Sequence, residues 1–152
     1  MRTRAGAPLV GAKLDVWSCA ANGLYPAQDP RQARSNLRGV FTTDQSGGYA
    51  FITLRPTNYA VPTDGPVGEL LRLARRSPQR AAHVHMIVSA AGHQPLVTHL
   101  FDRDCPYLAS DAVFSVRPSL IRAFEPAGAR AGERAWRVHF DVTLAADTTA
   151  VA

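Results

Sequence analysis

Lysine and cysteine are scarce in this sequence, and long apolar runs are missing. Lys13 is the single lysine beside 16 arginines. The arginines are scattered along the chain, with no aromatic interleaving and no nucleic-acid motif. The net charge of +5 is therefore read as surface charge, and nucleic acid is not an expected partner. The two cysteines, Cys19 and Cys105, lack metal-type spacing and follow no secretory signal, so both are read as free structural thiols. The apolar run after Met1-Arg2-Thr3-Arg4 is too brief for a signal core or a membrane span. A cytoplasmic protein without a membrane partner is the expectation.

The chain has 152 residues, which suits one domain and not two ordinary ones. A domain of this size buries about 70% of its unfolded surface, so folding requires neither a disulfide nor a metal. Apolar residues make up 46% and charged residues 19%, a globular balance. Eleven prolines and eleven glycines, spread along the chain, imply many short elements joined by turns.

Local patterns place those elements. Leu14, Val16 and Ser18 alternate with Asp15 and Trp17, which predicts a strand over residues 12–18. Residues Asn22 to Ser35 are rich in Pro, Asn, Asp and Gln and read as a loop. Arg38–Thr43 and Tyr49–Leu54, separated by Asp44-Gln45-Ser46-Gly47-Gly48, read as the arms of a hairpin. A helix is predicted with Asp64 as N-cap, Pro66 in its first turn, and Val67, Leu70, Leu71 and Ala74 at helical spacing before Pro78. Ala82–Ala90, Pro95–Phe101 and Ala135–Leu144 are strand-like, and Glu125–Glu133 reads as a loop. Many strands, one short helix and no βαβ rhythm predict an all-β sandwich, residues 1–145, with a flexible tail over 146–152.

The segment richest in chemistry is Arg80-Ala81-Ala82-His83-Val84-His85. In a strand, residues i and i+2 share a face, so His83 and His85 can present two imidazoles to one metal. The other ligands decide the metal. A cupin-type site needs a glutamate soon afterwards, and none lies between Met86 and Phe101. A facial triad for Fe(II) lacks a carboxylate at a linked spacing. Zinc would favour a third histidine, for which His93 and His99 are available. Tyrosine is the remaining option, since a phenolate is a hard anionic donor suited to Fe(III). Tyr25 and Tyr59 both lie in loop-like surroundings that can wrap over a sheet face. Residue spacing alone leaves these alternatives open.

Several segments resemble the intradiol ring-cleaving dioxygenases, in that family's order. They are Gly11-Ala12-Lys13-Leu14-Asp15-Val16-Trp17, then Gly23-Leu24-Tyr25, then Asn36-Leu37-Arg38-Gly39-Val40-Phe41-Thr42-Thr43-Asp44 with Gly48-Tyr49-Ala50-Phe51. Tyr59-Ala60-Val61-Pro62 through Gly68 is similar to the family's second-tyrosine loop. Arg80 to His85 resembles its Arg-Pro-Ala-His-x-His strand, with Ala81 in place of proline. The likeness runs from about Pro8 to Ile121. Thr63 to Gly68, Leu96-Val97-Thr98-His99 and Pro106 to Phe114 are closest to hydroxyquinol 1,2-dioxygenases, and His99 stands where catechol-cleaving relatives usually carry Gln.

The resemblance implies Fe(III) held by Tyr25, Tyr59, His83 and His85. It also implies catalytic roles for Arg80, Tyr59 and His99, with Arg80 stabilising negative charge on the substrate. The expected partners are a small catecholic substrate and O2, with a homodimer as the candidate assembly. The implied reaction is cleavage of hydroxyquinol to 3-hydroxymuconate, the enol form of maleylacetate; the alternatives are a catechol or substituted-catechol 1,2-dioxygenase. Full-length relatives carry a helical N-terminal domain and early strands before the segment matching Gly11–Trp17. The resemblance therefore implies a sandwich incomplete at its N-terminus, with an exposed sheet edge. A non-catalytic sandwich that retains the metal-site residues is the second expectation.

Overall fold

In the computed structural model, which describes residues 1–130 and 133–148, strands predominate. In chain order the elements are β1 (Arg2–Thr3), β2 (Lys13–Trp17), β3 (Arg38–Thr42), β4 (Tyr59–Ala60), α1 (Pro66–Leu73), β5 (Gln79–Arg80), β6 (His83–Ser89), β7 (Leu96–Asp102), a 3₁₀ turn (Pro118–Leu120), β8 (Ile121–Arg122), β9 (Glu125–Arg130), β10 (Glu133–Arg137) and β11 (Thr143–Leu144). The main sheet has five strands in the order β3-β2-β6-β7-β8, antiparallel except for the β7–β8 pair. Three two-stranded pairs surround it: β1 with β11, β4 with β5, and β9 with β10.

Period-2 alternation divides the main sheet into two faces. Leu14 and Val16 of β2, Val84, Met86 and Val88 of β6, and Leu100 of β7 are buried together on one face. Val142, Leu144, Phe124 and Leu9 cover them, with Tyr49, Phe51, Val138 and Phe140 packed alongside. This second layer makes the fold an all-β sandwich with one short helix, as the strand pattern predicts. The opposite face carries Trp17, His85 and His99, which pair directly across β2, β6 and β7.

Four local expectations differ from the structure. The turn at Asp44–Gly48 forms, with the Asp44 carboxylate accepting the Ser46 and Gly48 amides, but Tyr49–Leu54 is not a strand. Arg38–Thr42 pairs with β2 instead, and Phe51 turns inward to stack on Phe41. The expected loop over Glu125–Glu133 contains β9, paired with β10, because a Gly-, Ala- and Pro-containing run still offers its backbone to a neighbour. Ala135–Leu144 is interrupted. Strand β10 ends at Arg137, the Tyr49 hydroxyl donates to the Phe140 carbonyl, and β11 then pairs with β1. Helix α1 is capped at Gly65 and not by the Asp64 side chain.

The first residues of the expected tail over 146–152 are tied to the segment before β7. The Gln94 amide donates to the Ala145 carbonyl, Ala146 bridges His93, and the Asp147 amide donates to the Gly92 carbonyl. Residues 149–152 of that tail lie outside the described residues. No helix among the described residues is long and apolar enough to cross a membrane.

Candidate metal centre

Strand β6 presents His83 and His85 on the face opposite the core, as the i, i+2 spacing predicts. Their Nε2 atoms lie 3.0 Å apart. The ladder then sets their neighbours: Trp17 and His99 flank His85, and Phe101 flanks His83. Trp17 stacks on the His85 ring, with centroids 4.8 Å apart and planes 4° from parallel. The nearest ligand atoms of His83, His85 and His99 fall within 4.8 Å of one another. His93, the other zinc-type candidate, is half-buried, faces the Ala91 carbonyl and does not belong to this group.

Tyr25 reaches the group from a loop held by its own polar side chains. Asn22 accepts the Leu24 amide and donates to Asp29, and Gln28 accepts the Tyr25 amide. These Asx-type bonds replace a ladder in the segment between β2 and β3. The Tyr25 hydroxyl lies 3.1 Å from His85 Nε2. Tyr59 enters from β4, where it pairs with Arg80 of β5. Its ring meets Tyr25 edge-on at 5.3 Å and lies 5.6 Å from His83. Gly23, at φ +78°, makes this approach feasible, since a Cβ there would sit 3.2 Å from the Tyr59 Cβ.

The electrostatics of the group suit a cation. His83 Nδ1 faces the Ala81 carbonyl, which only accepts, so Nδ1 carries the proton and Nε2 offers a lone pair. Burial, opposed by that bond, holds the His83 imidazole down at about 4. Burial, then the neighbouring His83 and His99, hold His85 at about 3. Burial also lowers His99. These imidazoles are therefore neutral near pH 7. Burial and the hydrogen bond with Tyr59 push the Tyr25 phenol upward, so without a cation it stays protonated. Neutral imidazole lone pairs beside two phenol oxygens are a donor set that fits a hard metal, which would lower the phenol pKa.

Arg80 stands beside the donors and is itself buried. Its Nη1 lies 3.5 Å from the Tyr59 hydroxyl, Nε donates to Asp111 Oδ1 at 2.9 Å, and Nη2 donates to Ser115 Oγ at 3.0 Å. Thus all six sequence-derived site residues, Tyr25, Tyr59, Arg80, His83, His85 and His99, lie in one group. Sequence reasoning missed Trp17, Asp111 and Ser115. Trp17 is out of phase with Leu14 and Val16, which was the available signal for its face. No local pattern pointed to Asp111 or Ser115. Cys105, read as a structural thiol, accepts the Ala82 amide at 3.1 Å and helps fix the entry to β6.

Comparison with known proteins points to one family. The family model described as "Dioxygenase" matches residues 1–146. Hydroxyquinol 1,2-dioxygenase of Rhizobium sp. is 50% identical over 121 residues, covering 79% of this chain and 41% of that protein. Catechol 1,2-dioxygenase of Candida albicans is 40% identical over 149 residues, covering 95% of this chain and 49% of that protein. The solved hydroxyquinol 1,2-dioxygenase of Pseudomonas putida superposes with a TM-score of 0.87 at 43% identity, covering 95% of this chain and 54% of the other. The chain spans about half the length of the curated relatives it matches.

Proposed function

Since this chain belongs to the intradiol ring-cleaving dioxygenase family, we propose that it holds ferric iron through Tyr25, Tyr59, His83 and His85 and cleaves hydroxyquinol. The observation that carries this reading is the convergence of two phenols and two neutral imidazoles beside a buried arginine. When bound, ferric iron supplies Lewis acidity toward two adjacent hydroxyls of a catecholic ring and so activates the ring toward O2. Both oxygen atoms enter the product, 3-hydroxymuconate, and no external reductant is consumed.

The chain's own residues perform the remaining work. As the phenolate that a bound metal would favour, Tyr59 would take a proton from a substrate hydroxyl at its Oη, close to Arg80. The Arg80 guanidinium, fixed by Asp111 and Ser115, stabilises the negative charge that accumulates on the ionised ring. Trp17 covers the outer face of His85 and holds its orientation. His99 faces the same space from β7 and contributes a neutral donor or acceptor to substrate or O2. The preference for hydroxyquinol over catechol or a substituted catechol rests on the similarity to hydroxyquinol 1,2-dioxygenases, and on His99.

A second reading is a sandwich that keeps the metal site without turnover. It is favoured by the exposure of Ile52, Val67, Leu70 and Leu73, which leaves apolar faces uncovered. O2 uptake by the iron-loaded chain with hydroxyquinol and with catechol separates the two. Uptake with hydroxyquinol ahead of catechol supports the first; coloured protein without uptake supports the second. Protein that stays colourless after Fe(III) loading would remove the tyrosine ligands from both.

A further inference from the structure

We infer that Asp111 and Ser115 form a clamp that positions Arg80, so that its Nη1 edge alone faces Tyr59 and the substrate. This inference rests on the dioxygenase reading above. Arg80 Nε donates to Asp111 Oδ1 at 2.9 Å, and Arg80 Nη2 donates to Ser115 Oγ at 3.0 Å. The Ser115 hydroxyl in turn donates to Asp111 Oδ2 at 2.9 Å. The three side chains close a ring of hydrogen bonds, which fixes the rotation of the guanidinium plane. Nη1 is left over, and it points at the Tyr59 hydroxyl.

The clamp is anchored at both ends. Asp111 Oδ1 also accepts the Ala81 amide, and Oδ2 accepts the Ser115 amide. One carboxylate thus ties the turn at 111–115 to the link between β5 and β6, two residues before His83. Within that turn Phe114 sits at φ +56°, a conformation bulky side chains rarely adopt. Arg76, just after α1, secures it: the guanidinium lies 3.5 Å from the Phe114 ring centroid and donates to the Asp111 carbonyl at 2.9 Å. Such a backbone persists where its surroundings over-determine it, and here those surroundings are the partners of Asp111.

A guanidinium held in this way stabilises charge without reorganising as the reaction proceeds. Asp111 and Ser115 are therefore positioning residues, and their influence on turnover passes through Arg80. The test uses Ser115→Ala, which removes one bond of the ring and leaves the carboxylate in place, with Ser115→Thr as the conservative variant. In the iron-loaded chain, Ser115→Ala is expected to lower kcat about tenfold with KM within about twofold, and Ser115→Thr to restore it. In an Arg80→Gln background Ser115→Ala is expected to have no further effect. An equal loss with and without Arg80, or no loss at all, would overturn the proposal.

A second readout needs neither metal nor turnover. Nitrogen-15 NMR of the metal-free chain should show a slowly exchanging Arg80 Nε–H, and its exchange should accelerate at least about tenfold in Ser115→Ala. Unchanged exchange would overturn the clamp. If the wild-type chain consumes no O2, the dioxygenase reading fails, while the exchange measurement still decides for or against the clamp.

Discussion

Trp17 lies flat against His85, their planes 4° apart, while His99, His83 and Tyr25 stand around the rest of the imidazole. Pairing of β2 with β6 puts the two residues in register, so the indole fixes an imidazole that has no backbone hydrogen bond like that of His83. Groups that orient metal ligands typically contribute 10–100-fold to affinity. Trp17→Leu is therefore expected to weaken iron retention by about tenfold or more. Chelator competition, followed by loss of the visible ferric-phenolate colour, measures it. Iron release at the wild-type rate would show that His85 needs no such support.

Gly23 and Tyr59 make the second prediction. Gly23→Ala places a methyl group 3.2 Å from the Tyr59 Cβ at a backbone φ of +78°. The left-handed conformation alone costs a non-glycine residue about 1–2 kcal/mol. Thermal unfolding should register a loss of that order, and the displaced Tyr59 should shift the colour of the iron-loaded protein. Alanine here with neither effect would mean that the Tyr25 loop yields freely.

Much of this site was legible in the sequence, but through two different routes. Alternation in Leu14–Trp17 and His83–Val88 identified which side chains share a face, because a strand admits only period 2. It could not identify neighbours, since period 2 says nothing of register; Trp17 beside His85 and the pairing of Arg38–Thr42 with β2 were invisible for that reason. Tyr25 and Tyr59 were singled out by family resemblance, since Tyr25 lies in a loop and Tyr59 in a two-residue strand too short to show a period. In α1 the helical spacing was readable, yet Val67, Leu70 and Leu73 are exposed and Gly68 is buried. An apolar stripe reports a face that prefers cover, without stating that cover is present.

Acid should weaken the fold through Asp111. Burial raises this carboxyl, but the Ser115 and Ala81 amides, the Arg80 guanidinium and the Ser115 hydroxyl outweigh it and hold the value at about 2. The folded value is therefore below the ordinary carboxyl value of about 3.9. The sign follows: the stabilisation is fully present above pH of about 4 and is lost as pH falls from there toward 2. Asp111→Asn leaves Arg80 without its counter-charge and should destabilise the protein at pH 7 by about 3–5 kcal/mol. Denaturant unfolding between pH 7 and pH 2 should show a shallower acid loss in the variant than in the wild type. Parallel curves would exclude Asp111 as a source of the acid sensitivity.

Residues 49–54 pose the opposite case to β6, a strand-like sequence that has no strand partner among the described residues. Phe51 packs inward, whereas Ile52 is 95% exposed. The segment is anchored at its end by Arg55, which donates to Asp102 and Asp104 and lies 4.3 Å from the Trp136 ring centroid. Amides lacking a hydrogen-bonded partner exchange through small local openings, whereas those in central strands need far larger ones. Hydrogen exchange should therefore be rapid over residues 50–54 and slow over Leu14–Val16 and Val84–Val88. Arg55→Ala leaves the buried Asp102 carboxylate unpaired, and a loss of about 3 kcal/mol or more is expected. The same change should speed exchange at the β7 end, near Asp102, because that carboxylate also accepts the Asp104 amide. If protection over residues 50–54 equals that of β6, the segment is paired in solution and its unpartnered backbone is not the state that the protein populates.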